Sequence, residues 1–145
     1  MSETILGSWV LWALLSAAFA ALTAIFVKVG VETIDSDLAT FIRTIVIVAV
    51  LAGILAARGL FQSPAGISAR TYLFLTLSGL GTGASWLCYF RALQLGDAAR
   101  VAPVDKLSVV LVAVFGVAFL GEQLSWRNWA GVAMIALGAV LVAGK

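Results

Sequence analysis

Long apolar runs alternate with short polar connectors along the whole chain. Crossing the hydrocarbon core of a bilayer takes about 20 predominantly apolar residues. Five runs meet this requirement, at about residues 5–29, 38–57, 71–93, 101–120 and 126–143. What remains is too short for a separate soluble domain. The pattern therefore predicts an all-α integral membrane protein with five transmembrane helices, forming a single domain over residues 1–145.

The connectors contain residues that begin and end helices. Asp37 and Ser125 are predicted to cap the second and fifth helices, because their side-chain oxygens can accept from the first free N–H groups. Gly121 is expected to lie in a tight turn. Pro103 is predicted to lie in the first turn of the fourth helix, where a missing N–H costs least.

The amino-acid composition excludes several classes of function. Apolar residues make up 63% of the chain and charged residues 11%, with nine Lys and Arg against seven Asp and Glu. The positive charges are scattered, so the sequence does not predict nucleic-acid binding. There is no histidine, and Cys88 is the single cysteine. We therefore expect no metal site, no cofactor and no enzyme activity.

Polar side chains are aligned along single helix edges. In the third predicted helix, Ser78, Thr82, Ser85 and Tyr89 follow the spacing of one helical face. Such hydroxyls either bond the backbone or a neighbouring helix, or they line a shared water-filled cavity. Trp86, beside this stripe, either forms part of the cavity wall or packs in the core.

Charged side chains collect near one membrane face. Arg43, Asp105 and Lys106 lie inside predicted spans, where a charge is costly. Lys28 and Arg91 end their helices at the same level. Three interpretations of this layer of charged residues are open. It is a structural salt-bridge network, a gate or binding site for an anionic group, or a determinant of membrane topology. We expect Arg43 to pair with Asp105, which leaves Lys106 for the membrane interface or a ligand.

The distribution of positive charge gives a weak orientation signal. Five helices place the termini on opposite faces, and one face carries three Lys or Arg side chains against three to five on the other. Both a single topology and insertion in both orientations are open. Gly79 and Gly83 form a small-residue motif that permits close helix packing or dimerisation.

Several stretches resemble a known family of membrane proteins. They are LLSAAFAALTAIFVKVG, DLATFIRT, SGLGTGASWLCYFRALQLGDAARVAPVDKLSVVLV and FLGEQLSWRNWAGVAMIALGAVLVA. The chain resembles a single EamA-type domain of the drug/metabolite transporter superfamily. Arg43, Asp105, Lys106 and Glu122 match recurrent family positions, and Glu122 is interpreted as a structural residue, like Lys28 and Arg91.

The resemblance implies secondary transport without ATP hydrolysis. Usual members have ten helices in two inverted repeats, whereas this chain has one repeat, as in the short five-helix branch. Two copies paired antiparallel would rebuild the ten-helix architecture, with the substrate site at the repeat interface. The candidate substrate-binding or gating residues are Arg43, Thr82, Ser85, Trp86, Tyr89, Asp105 and Lys106.

Two functions are predicted from these observations. The first is a dimeric transporter in the inner membrane that exports a small organic metabolite or drug-like solute by alternating access. The second is a non-transporting membrane subunit that pairs with another five-helix protein and stabilises or orients it. An antiparallel homodimer requires insertion in both orientations, whereas a heterodimer does not.

Overall fold

A computed structural model describes residues 8–63 and 66–144 of the chain. The helices, in chain order, are α1 (Trp9–Gly30), α2 (Ser36–Ala57), α3 (Ala69–Leu95), α4 (Ala98–Asp105), α5 (Ser108–Leu120) and α6 (Trp126–Ala143). Within these described residues the regular secondary structure is helical, which confirms the all-α fold class.

The predicted number of spans is confirmed. Five helical stretches are long and apolar enough to cross a membrane, with α4 and α5 together forming the fourth, Ala98–Leu120. Large apolar side chains such as Phe19, Leu80 and Leu141 are exposed along them, as expected for surfaces that face lipid. Helix ends lie within three residues of the predicted ones where they are described, and residues 5–7 of the first predicted run lie outside the described part.

The helix ends confirm two sequence predictions and correct a third. The Ser125 side chain accepts from the Asn128 N–H and caps α6. Gly121 adopts a left-handed φ of 69° that ends α5, a conformation in which glycine has no steric penalty. The prediction of Asp37 as the cap of α2 is wrong. Asp35 caps it instead, because its carboxylate accepts from the N–H groups of Asp37 and Leu38.

The chain divides into two compact units. One, called the middle unit here, is Val27–Gln94; the other, called the end unit, combines the residues up to Phe26 with those from Leu95 onward. In the middle unit, the side chains of Val31, Phe90 and Leu93 are almost fully buried. They form a small apolar core where α3 packs on the connector after α1. The expectation of one domain over residues 1–145 stays a prediction.

The end unit is organised around its last helix. Both α4 and α5 pack against α6. The Arg100 guanidinium at the start of α4 donates to the carbonyl oxygens of Ala143 and Gly144, at 2.8 and 3.3 Å. A cation at a helix C-terminus satisfies unbonded carbonyls and interacts favourably with the helix dipole. Arg100 therefore fastens the end of α6 to the beginning of α4.

Candidate functional site

The fourth span is interrupted inside the apolar stretch by a two-residue break at Lys106 and Leu107. The N–H groups of Leu107, Val109 and Val110 bond to carbonyls three residues back, whereas an α-helix bonds four residues back. Helix α4 ends at Asp105 and α5 begins at Ser108. At 1.5 Å per residue, this break lies about 12 Å from the start of the span.

Pro103 removes one backbone hydrogen bond upstream of the break. Asp97 is the N-cap of α4, so the helix begins at Ala98 and Pro103 lies in its interior, not in the first turn as predicted. Proline has no N–H to donate and its ring crowds the carbonyl four residues earlier. The span is therefore already short of one backbone hydrogen bond before the break at residues 105–107.

An ion pair lies at the break. The Lys106 Nζ atom is 3.0 Å from the Asp105 Oδ2 atom, and their side chains are 55% and 32% exposed. Consecutive residues of a regular helix point about 100° apart, and on this ground we expected Lys106 to be left for the interface or a ligand. The structure differs because Asp105 is the last residue of α4 and Lys106 lies in the turn. The pairing of Arg43 with Asp105 stays a prediction.

In the middle unit, Arg43 is held against aromatic rings of α3. Its guanidinium carbon lies 4.1 Å from the centre of the Trp86 ring and 5.4 Å from that of Phe90. Arg43 and Trp86 are half-buried, and Phe90 is buried. Tyr89 also interacts electrostatically with Arg43. The structure therefore brings together Arg43, Trp86 and Tyr89 of the predicted site residues, and Trp86 packs on a cation.

The aromatic contacts offset only part of the cost of placing Arg43 in a span. Arg43 follows the start of α2 by seven residues, which corresponds to about 10 Å along the axis. An arginine deep in a spanning helix costs about 3 kcal/mol on insertion scales. A cation–π contact returns about 0.5–2 kcal/mol, depending on desolvation.

A second group of polar side chains in the middle unit forms hydrogen bonds between the connector after α1 and the end of α3. The Lys28 ammonium donates to the Leu93 carbonyl at 2.8 Å. Gln94 donates to the carbonyls of Val31 and Ile34 and accepts from Arg91 at 2.7 Å. These contacts fix the connector between α1 and α2 against the end of α3. They support a structural role for Lys28 and Arg91, and the sequence analysis had not singled out Gln94.

The hydroxyl groups divide between the two interpretations. Thr82 donates to the Ser78 carbonyl of its own helix at 2.9 Å, and Thr40 and Thr44 make the same four-residue bond in α2. These three threonines satisfy the backbone-bonding interpretation. Ser85 is exposed and Tyr89 is half-buried on the same edge of α3. The water-filled cavity therefore stays a prediction, supported most by Ser85.

Glu122 lies against the end of α5. A Cβ atom placed on Gly116 would lie 2.6 Å from the Glu122 Oε2 atom, so the carboxyl group occupies the space that a side chain at Gly116 would take. The Glu122 N–H also donates to the Gly116 carbonyl at 3.1 Å. Both contacts serve the turn and support the structural interpretation of Glu122. Within residues 8–63 and 66–144, no group of three or more Cys, Asp or Glu side chains could hold a metal ion.

Comparison with known proteins assigns the family. The model of the EamA-like transporter family matches residues 7–144. The chain belongs to the EamA-like transporter family. This membership makes it a transporter-type, multi-pass integral membrane protein and not an enzyme.

Named relatives agree with this assignment. An "Uncharacterized transporter in cobO 3'region" from Sinorhizobium sp. is 69% identical over 136 residues, covering 94% of this chain and 96% of the relative. A probable 4-amino-4-deoxy-L-arabinose-phosphoundecaprenol flippase subunit ArnE from Aeromonas hydrophila is 35% identical over 50% of this chain and 62% of its own. The corresponding ArnE from Aeromonas salmonicida is 31% identical over 49% of this chain and 62% of its own. No solved structure matches the chain.

Proposed function

We propose that the protein is a dimeric secondary transporter of the inner membrane, which exports a small organic solute by alternating access. The observation that carries this proposal is the interruption of the fourth span at Asp105 and Lys106. The break places a carboxylate, an ammonium and a turn with three-residue hydrogen bonds within the apolar stretch. Family membership supports a transport function in general. The interrupted span is where we propose that the solute passes.

Interrupted helices at membrane depth have a physical requirement. Backbone that leaves the helical pattern in the hydrocarbon region is tolerated where protein buries it or where it lines a water-filled cavity. Transporters commonly place substrate and ion sites at such discontinuous helices. The half-exposed Lys106 side chain therefore calls for water or a second chain beside it. The Asp105–Lys106 pair is our candidate gate.

A dimer follows from the same requirement. One set of five spans leaves the side chains of the ion pair partly exposed. A second copy in the opposite orientation would cover the pair and rebuild the two inverted repeats on which alternating access depends. The nearly balanced positive charge on the two faces is consistent with insertion in both orientations.

A second candidate function is favoured by the names of two relatives. Both Aeromonas proteins are named as flippase subunits, which describes proteins that act together with another chain. By this proposal the protein would pair with a different five-helix protein and would not transport by itself. The Asp105–Lys106 pair would then lie at the interface between the two chains.

The experiment uses the purified full-length chain in lipid vesicles. A panel of labelled organic anions, cations and neutral metabolites identifies a solute that the wild type moves. Asp105→Asn and Lys106→Gln each break the gate pair, so we expect transport of that solute to fall about tenfold or more at equal amounts of inserted protein. Asp97→Asn is the matched control, because Asp97 lies at the start of the same span and makes no side-chain cap bond.

Three outcomes separate the candidates. Transport by the chain alone that is lost in both gate variants and kept in Asp97→Asn supports the transporter. Transport that appears only when a second five-helix protein is added supports the subunit function. Transport that is unchanged by Asp105→Asn and Lys106→Gln contradicts the gate.

A further inference from the structure

Within the described residues of the middle unit, Arg43 presents a positively charged group whose hydrogen-bond donors are unused. Its side chain contacts the Trp86 and Phe90 rings, and within the described residues of the middle unit it makes no hydrogen bond or ion pair. A cation–π contact does not use up the N–H donors of a guanidinium, which can still donate to an anion. Arg43 is only half-buried, so those donors can be reached.

The middle unit has no carboxylate at the depth of Arg43. Its acidic residues are Glu32, Asp35 and Asp37, which lie in the connector before α2 or in its first turn. The Asp35 carboxylate already accepts from two backbone N–H groups. Arg43 therefore lies seven residues into α2 without an acidic partner from its own unit.

Other arginines on aromatic rings differ from Arg43 in position. Arg70 lies 5.8 Å from the Phe74 ring, and Arg127 lies 5.8 Å from the Trp126 ring. Both are the second residue of their helix, so their charged groups reach the water at the membrane surface. Arg43 makes the shorter contact and lies deeper along its span, seven residues from the start of α2. A purely structural role does not require N–H donors that lack a hydrogen-bond partner at that depth.

We propose that Arg43 binds the oxyanion of a ligand, a carboxylate or a phosphate, with Trp86 and Phe90 fixing the plane of the guanidinium. This inference rests on the proposed transport function and names the class of its solute, an organic anion. Arginine matches carboxylate and phosphate with two parallel hydrogen bonds, which lysine cannot form. The same chemistry is present in a soluble organic anion and in the phosphate of an anionic lipid.

The test measures binding and does not depend on transport. The full-length chain is placed in nanodiscs of zwitterionic phosphatidylcholine, and quenching of tryptophan fluorescence is followed with 4-nitrobenzoate and with its neutral analogue 4-nitrobenzamide. We expect saturable quenching by the carboxylate and only weak, linear quenching by the amide. The saturable component should disappear in Trp86→Phe, which assigns it to the tryptophan beside Arg43.

Arginine variants assign the anion to the guanidinium. Arg43→Gln should weaken nitrobenzoate binding about tenfold or more, because a charge-assisted hydrogen bond is lost. Arg43→Lys keeps the charge and loses the planar fork, so we expect an intermediate loss. Arg70→Gln is the matched control, because it removes another arginine that lies on an aromatic ring, and binding should stay within about twofold of the wild type.

A second arm identifies the source of the anion. In nanodiscs containing phosphatidylglycerol, nitrobenzoate binding that is unchanged assigns the site to a soluble anion. Competition that depends on Arg43 assigns it to lipid phosphate, and both results support the oxyanion site. Equal quenching by nitrobenzoate and nitrobenzamide in both lipids, or equal nitrobenzoate binding by wild type and Arg43→Gln, overturns it. Vesicle transport can persist in that case, so failure of this inference and failure of the proposed function are separable.

Discussion

Single side chains have two different tasks in this chain, and hydrogen bonding separates them. Lys28 and Arg100 donate to carbonyls near helix ends, where a helix terminus leaves backbone groups unpaired. Gln94 donates to carbonyls of the connector between α1 and α2. Arg43 instead stacks on an aromatic ring, and Lys106 pairs with a neighbour in a break. The first group stabilises helix ends and the connector, whereas Lys106 belongs to the proposed gate and Arg43 to the proposed anion site.

Gln94 gives a prediction at the residue scale. Its amide donates to two carbonyls of the connector between α1 and α2. Removing it leaves part-buried carbonyls unpaired, at a cost of about 1–3 kcal/mol. We expect Gln94→Ala to lower the free energy of unfolding by about that amount, measured by thermal unfolding in detergent.

Gln123→Ala is the control for Gln94. Gln123 is an exposed glutamine in the turn after α5, and replacing it should change stability by less than about 0.5 kcal/mol. Equal stability of the two variants would show that the bonds of Gln94 contribute nothing measurable.

The sequence predicted the helices more completely than the contacts between charged residues. Apolar length alone determines a span, so all five were identified from the sequence. The prediction placed the start of the fourth helix at residue 101, but Asp97 begins it earlier and leaves Pro103 inside it. The contact of Arg43 with Trp86 joins two helices, and no periodicity within one helix indicates it. Gln94 was missed because its partners are backbone carbonyls of a distant connector.

The interrupted fourth span gives a prediction at the scale of one element. Pro103→Ala restores a backbone N–H inside α4 and lowers the cost of a continuous helix. We expect the variant to be more stable than the wild type and slower in transport, because the break serves solute movement. Hydrogen exchange of the amides from Leu107 to Val110 should slow about tenfold, as four-residue bonds replace three-residue ones.

Val104→Ala is the control for the proline substitution. It changes the adjacent position of α4 and leaves the number of backbone donors the same. Unchanged exchange in both variants would show that Pro103 does not set the break. Faster transport by Pro103→Ala would contradict the role assigned to the interruption.

At the scale of the whole molecule, the described residues contain one set of five spans. The family model covers residues 7–144, which include all five of these spans. A methyl group at Gly79 or Gly83 would meet no atom within 4 Å in the described part of the middle unit. Such a small-residue face allows a second helix to approach closely. By the proposed function, two chains pair and enclose a water-filled route through which the solute moves.

The most direct measurement of that claim is the accessibility of cysteines to a membrane-impermeant thiol reagent in native membranes. In both variants Cys88 is first replaced by serine. Ser85→Cys then places a thiol on the exposed hydroxyl edge of α3. Leu87→Cys, two positions further along, places a thiol on nearly the opposite side of the same helix. The account predicts that the reagent labels the cysteine at position 85 and leaves the one at position 87 unlabelled. Failure to label position 85, or equal labelling at both positions, would contradict the water-filled route.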